Sequence, residues 1–219
     1  MNSFDVFDTL IARRYLDSTP IFRELASLYG VADFVKRRRA ADAGARSLAG
    51  IYEAMGLPDY MREKEIALEC QHAVPIRANL DRVSDGDLLI SDMYIPGPEI
   101  LSILRAAGLE RQVTIYQSSA GKSSGAVWRV LDAERPALHL GDNRYSDFAV
   151  PKSLGFACEL YEGAGFTEIE ATIAGQGLFT LACLIREVRL RGNPVAFAPF
   201  FEIACQYNLA LLFVIAEIL

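Results

Sequence analysis

Three short apolar runs, each ending in a polar residue, constrain the fold of this chain more tightly than any other feature. The first begins almost at the terminus, a strand over about Ser3–Phe7 with the carboxylate of Asp5 at its tip. Leu88-Leu89-Ile90 closes on Ser91, and Leu138-His139-Leu140 closes on Gly141-Asp142. Short continuous apolar runs suit parallel strands buried on both faces. Polar groups at their C-terminal tips lie where open α/β sheets bind ligands, and a strand carrying chemistry at its tip is expected near the centre of its sheet.

The segments between these runs have a helical period. From Thr19-Pro20 onward, Ile21, Phe22, Leu25, Leu28 and Tyr29 share a face, and Gly30 is placed to end the helix. Further helices are expected over about Ala32–Leu48, Ile51–Met55 and Tyr60–His72, with no strand among them, while Ala12-Arg13-Arg14 reads as a polar segment after the first strand. Beyond Pro75, Asp85-Gly86-Asp87 is a turn signal. Then come a helix from Pro96 to Gly108, a strand over Val113–Tyr116, a helix over Ser124–Leu131, and a short helix and strand after Asp147. Strands alternating with helices imply crossover connections and a parallel sheet. From about Phe166 the chain is apolar and helical in character, interrupted at Gly192-Asn193-Pro194. The uncharged stretch Ile203–Ala216 is shorter than the ~20 apolar residues of a membrane span and reads as a buried or docking helix.

Four pieces recur in order: Asp5 with Thr9, Ser91-Asp92, Gly121-Lys122-Ser123, and Gly141-Asp142-Asn143 followed by Ser146-Asp147. Together they resemble the four motifs of the haloacid dehalogenase-like (HAD) superfamily, over roughly residues 1 to 165. The resemblance implies an α/β, Rossmann-like parallel sheet flanked by helices. Residues 1–15 and 76–165 would form the core, 16–75 a helical cap inserted after the first strand, and 166–219 a C-terminal helical extension. It also implies Asp5 as nucleophile and Ser91 and Lys122 as its catalytic partners. Thr9, Asp92, Tyr94 and Asn143 would line the substrate. Mg²⁺ would be held by Asp5, the Phe7 backbone carbonyl, Asp142 and Asp147, which are the oxygen donors this ion takes. The substrate would be a small phosphorylated metabolite.

The sequence departs from that pattern at Phe7. HAD phosphatases carry a second aspartate there, which protonates the leaving group, an effect worth about 10²–10⁴-fold. Asp8 is adjacent but shifted by one residue, which on a strand points it elsewhere. The 2-haloacid dehalogenases carry an aromatic residue at this position, yet they use no metal and lack the acid supplied here by Asp142. The combination looks most like predicted HAD hydrolases found beside glycosyltransferase domains. A slow Mg²⁺-dependent phosphatase is therefore expected first, a catalytically weak domain serving as a binding or assembly module second, and carbon–halogen hydrolysis last.

Composition narrows the partners. A net charge of −6 argues against a nucleic acid bound through its backbone. Lys36-Arg37-Arg38-Arg39 is the local exception, either a solvated helix face or a contact to substrate or partner. The four cysteines form no metal-type spacing, so a reduced, cytoplasmic protein is the default, and an Asp5 nucleophile leaves no room for a leader segment. The C-terminal helices could serve a homo-oligomer or a partner domain. Of the single residues, His139 and Trp128 read as core residues, His72 as a complement to a helix end, and Tyr94 as either packing or substrate-facing.

Overall fold

A computed structural model describes residues 1–43, 47–118 and 121–192, and it divides the chain into two units, Met1–Gly165 and Phe166–Leu219. In chain order the first unit holds β1 (Ser3–Asp5), β2 (Ile11–Arg13), α1 (Thr19–Tyr29), α2 (Phe34–Asp42), α3 (Leu48–Met55), α4 (Asp59–His72) and β3 (Ala73–Pro75). It continues with α5 (Arg77–Leu80), β4 (Leu88–Ser91), α6 (Gly97–Ala106), β5 (Thr114–Gln117), α7 (Ala126–Val130), β6 (His139–Gly141), α8 (Val150–Ser153) and β7 (Cys158–Leu160).

Five strands form one parallel sheet in the order β5-β4-β1-β6-β7. β1 is central, as expected, with Ser3, Phe4 and Asp5 in register with Leu88, Leu89 and Ile90 on one side, and Ser3 and Phe4 with His139 and Leu140 on the other. The sheet grows outward from β1 through β4 and β5, and then resumes on its other side at β6. The crevice at such a reversal is where open α/β sheets accommodate ligands.

Alternation along the strands covers both faces of the sheet. Phe4, Leu89 and Leu140 pack with Ile100, Ile103 and Leu104 of α6, whereas Leu88 and Ile90 pack with Trp128, Leu131 and Phe156. This explains why β4 reads as an unbroken apolar run, since all four of its residues are buried.

Between β2 and β3 lies a helical insertion, α1–α4, with its own core of Ile21, Phe22, Leu25, Phe34, Leu48, Ile51, Tyr52 and Leu68. α1 spans its expected range and ends at Gly30 in the left-handed conformation, φ 63°. Other boundaries differ from expectation. β1 stops at Asp5 rather than Phe7, because the amides of Leu10 and Ile11 both turn back to the Val6 carbonyl and Asp8 takes φ 59°. The helix expected over Ala32–Leu48 ends at Asp42, and a separate helix starts at Leu48, where the Ser47 hydroxyl accepts the Gly50 N–H at 3.2 Å. The polar segment after the first strand contains a second one: Ile11–Arg13 pairs antiparallel with Ala73–Pro75, so a two-stranded ribbon joins the insertion to the sheet.

The second unit contains α9 (Glu168–Gly175) and α10 (Phe179–Arg191). Thr167 and Glu170 form a reciprocal capping box at the start of α9, and Glu170 also accepts a fork from Arg189 of α10, at 2.8 and 2.9 Å. The helix expected over Ile203–Ala216 lies outside the described residues. No described helix is long and apolar enough to cross a membrane.

Candidate functional site

The C-terminal tips of β1, β4 and β6 place Asp5, Ser91 and Gly141-Asp142 side by side. Asp5 is almost wholly buried, and its Oδ2 accepts the hydroxyl of Thr9 at 2.9 Å. Thr9 reaches it because the chain folds back after Val6, which returns a residue four positions later to the strand tip. Lys122, in the turn between β5 and α7, is also buried and brings Nζ to 2.5 Å from Asp5 Oδ1 and 2.7 Å from Asp147 Oδ1.

Asp147 lies on a π-helical turn, Arg144–Ala149, that opens directly after β6. Gly141 admits it: a Cβ at residue 141 would fall 2.4 Å from the Asp147 Cβ, so the close approach requires glycine there. Asn143 shapes the same turn. Its side-chain oxygen accepts the amides of Tyr145 and Ser146 at 2.9 and 3.0 Å, and its own N–H donates to Asp147 Oδ2 at 3.2 Å. Asp92 does similar work on the other side, accepting the Lys122 N–H at 3.0 Å and so tying the lysine-bearing turn to the tip of β4. Asn143 and Asp92 thus act on their neighbours as anchors. Ser91 accepts the Met93 N–H at 3.3 Å. The Tyr94 ring lies over the Arg38 guanidinium, 4.8 Å from Cζ, with its hydroxyl pushed up to about 12 by burial.

Carboxylate oxygens of Asp5, Asp142 and Asp147 lie within 4.8 Å of one another. Three carboxylates against the one ammonium of Lys122 leave an excess of negative charge in a largely buried pocket. The consequence is visible at Asp142, whose carboxyl is pushed up to about 7 by burial first and then by the charges of Asp5, Asp8 and Asp147. Burial likewise raises Asp5, against the pull of Lys122. Asp147 goes the other way: despite its burial, the His139 hydrogen bond and the Lys122 charge keep it below the usual carboxylate range. A hard divalent cation suits this set of oxygen donors and offsets the excess charge.

Three residues near this centre have neighbours that the sequence reading did not foresee, although it placed His139 in the core, where it lies fully buried. Burial holds His139 neutral; its Nε2–H donates to Asp147 Oδ1 at 3.4 Å, which leaves Nδ1 to accept the Ser3 hydroxyl at 2.9 Å. Its partner was hinted at by spacing, since His139 and Gly141 share a strand face and Gly141 abuts Asp147. Arg13 lies over the Phe7 ring, 4.9 Å from Cζ to the centre, and nothing in the polar run Ala12-Arg13-Arg14 announces this. Asp8 contributes its charge to Asp142 from a left-handed backbone, so strand alternation does not govern where it points. Trp128 is buried as expected, edge-on to His139 at 4.6 Å.

Fold and site together define an α/β protein with a lysine-bridged carboxylate centre at the switch point of a parallel sheet. Compared with known proteins, the chain matches no protein-family model, and no curated protein is significantly similar to it.

Proposed function

We propose that this chain is a Mg²⁺-dependent hydrolase of the HAD type, acting on small phosphorylated metabolites with Asp5 as nucleophile. The observation that carries this reading is Lys122 buried between Asp5 and Asp147, at 2.5 and 2.7 Å, beside a cluster of three carboxylates. A nucleophile, its counter-charge and a seat for a hard cation are what phosphoryl transfer requires.

Asp5, Asp142, Asp147 and the Phe7 carbonyl would hold the ion. When bound, Mg²⁺ supplies charge neutralisation at the phosphoryl oxygens. Asp5 then forms a bond from a carboxylate oxygen to phosphorus as the bond to the leaving oxygen breaks, and that oxygen departs with the electron pair. Water cleaves the resulting aspartyl phosphate, releasing inorganic phosphate and restoring Asp5. Lys122 keeps the carboxylate ionised and neutralises charge as it develops. Thr9 fixes the rotation of Asp5 through its 2.9 Å hydrogen bond. The Ser91 hydroxyl donates to a phosphoryl oxygen. The helical insertion closes over this site as a cap and excludes water.

Phe7 offers no proton to the leaving group. Acyl and aryl phosphates, whose leaving groups depart as stable anions, are therefore the favoured substrates, with ordinary alkyl and sugar phosphates slower by about 10²–10⁴-fold. The test is Mg²⁺-dependent phosphate release from acetyl phosphate, an aryl phosphate and a panel of sugar phosphates. Turnover of the first two, abolished by Asp5→Asn and by chelation, is expected. A native chain as inert as Asp5→Asn on the activated esters overturns the hydrolase reading.

A further inference from the structure

The helical insertion meets the loops of the site through two matched stacks. Glu65 and Glu69 are one helical turn apart on α4, on one face of the helix, and both are buried. Glu65 takes Arg38 of α2 in a fork, with Nε and Nη2 donating at 3.1 and 2.8 Å, and also accepts the Tyr52 hydroxyl at 2.7 Å. Glu69 takes Arg13 of the ribbon in the same way, Nε donating at 2.8 Å and Nη2 at 2.9 Å.

Each guanidinium then meets a ring from a different site loop. Arg38 Cζ is 4.8 Å from the centre of Tyr94, with Phe22 at the same distance, and Arg13 Cζ is 4.9 Å from Phe7. Tyr94 directly follows Ser91-Asp92-Met93, and Phe7 stands two residues beyond Asp5. The Tyr94 carbonyl also accepts the Leu48 N–H of the insertion at 3.0 Å.

Buried ion pairs add little stability over well-packed apolar side chains, so stability does not explain two of them side by side. Geometry does. A guanidinium held by a two-point fork has a fixed plane, and a ring lying on it is fixed in turn, which no aliphatic side chain or lysine reproduces.

We propose that Arg38 and Arg13 are positioning residues that, anchored on α4 by Glu65 and Glu69, hold the Tyr94 and Phe7 rings and thereby place the Ser91–Met93 and Val6–Asp8 segments about Asp5 and Lys122. The insertion is then no free lid at this edge: displacing α4 displaces both loops. The catalytic consequence rests on the hydrolase reading, whereas the geometric claim stands apart from it.

The experiment reads both. Backbone hydrogen exchange is followed at Met93 and Lys122, whose amides bond Ser91 and Asp92, with Leu89 in the buried strand as control. Tyr94→Leu leaves the ion pairs in place and removes the ring; it should speed exchange at Met93 and Lys122 on the order of tenfold, the size of a desolvated cation–π contact. Leu89 should not change, and Tyr94→Phe, which keeps the ring, should exchange like the native chain. Arg38→Lys should match Tyr94→Leu, and the double variant should exceed neither; if Arg38→Lys does not fold, the Tyr94 variants decide alone. In phosphate release, Arg38→Lys should lower kcat about tenfold with KM unchanged. Unchanged exchange in Tyr94→Leu, equal acceleration at Leu89, or additivity in the double variant overturns the proposal. Should no phosphate ester be turned over by the native chain, the hydrolase reading falls while the exchange result still judges the stacks.

Discussion

Two residues beyond Asp5, the ring of Phe7 packs against a guanidinium, and this bears on any attempt to restore a proton donor there. A carboxyl introduced at residue 7 would face Arg13, which the ring meets at 4.9 Å, and an adjacent cation favours the ionised form. Phe7→Asp is therefore expected to raise kcat/KM for sugar phosphates by less than tenfold at pH 7, well short of the about 10²–10⁴ of a competent acid; a gain of a hundredfold or more would show that Arg13 leaves the new group protonated. Asp142 supports a second prediction. Its carboxyl, raised to about 7 by burial and by Asp5 and Asp8, binds a proton in competition with a cation. Mg²⁺ affinity measured by calorimetry should thus weaken as pH falls from 8 to 6, and Asp142→Asn should weaken binding and flatten this dependence; a pH-independent affinity in the native chain would remove Asp142 from the metal site. Asp5, Ser91, Lys122, Asp142 and Asp147 could be picked out in the sequence because strand tips and motif order converge on one edge of a sheet. The partners of Arg13, Asp8 and His139 could not, because they are supplied by the fold.

Among the elements, β4 was legible because continuous burial leaves continuous apolar sequence, as at Leu88-Leu89-Ile90. The ribbon was not: Ile11–Arg13 and Ala73–Pro75 are three residues each, too short to establish a period, and Arg13 reads as part of a polar segment until Glu69 is placed against it. The basic run Lys36–Arg39 shows the same limit. Arg38 is fully buried on Glu65, a partner 27 positions away, while Arg37 donates to the Met55 carbonyl at 2.6 Å and Arg39 to Thr19. The pairing of the ribbon with α4 yields a prediction at this scale. Glu69→Ala deletes both hydrogen bonds of the fork while Arg13 keeps its other neighbours, the Asp8 charge among them, so it should destabilise the chain by about 1–3 kcal/mol in denaturant unfolding, whereas Arg13→Met combined with Glu69→Leu should recover most of it. If the double variant is as unstable as the single one, the fork contributes stability directly rather than through the guanidinium left behind.

At the scale of the whole molecule, every residue of the candidate site and the three apolar clusters found among the described residues fall within Met1–Gly165. The described part of the second unit is held by contacts of its own, the Thr167–Glu170 capping box and the Glu170–Arg189 fork. A unit with a hydrophobic core of its own can in principle fold alone, and 165 residues is a size at which a single domain buries roughly 70% of the surface its unfolded chain exposes. A chain ending at Gly165 is therefore expected to unfold cooperatively, to bind Mg²⁺ within about threefold of the full chain, an energy difference below ~1 kcal/mol, and to keep its turnover of acyl phosphates. Calorimetric titration and phosphate release on the two chains measure this directly. Loss of cooperative unfolding would mean that the first unit depends on the second for its fold. Cooperative unfolding with lost Mg²⁺ binding would instead place a determinant of the site beyond Gly165, where neither the motif order nor the geometry of the carboxylate centre locates one.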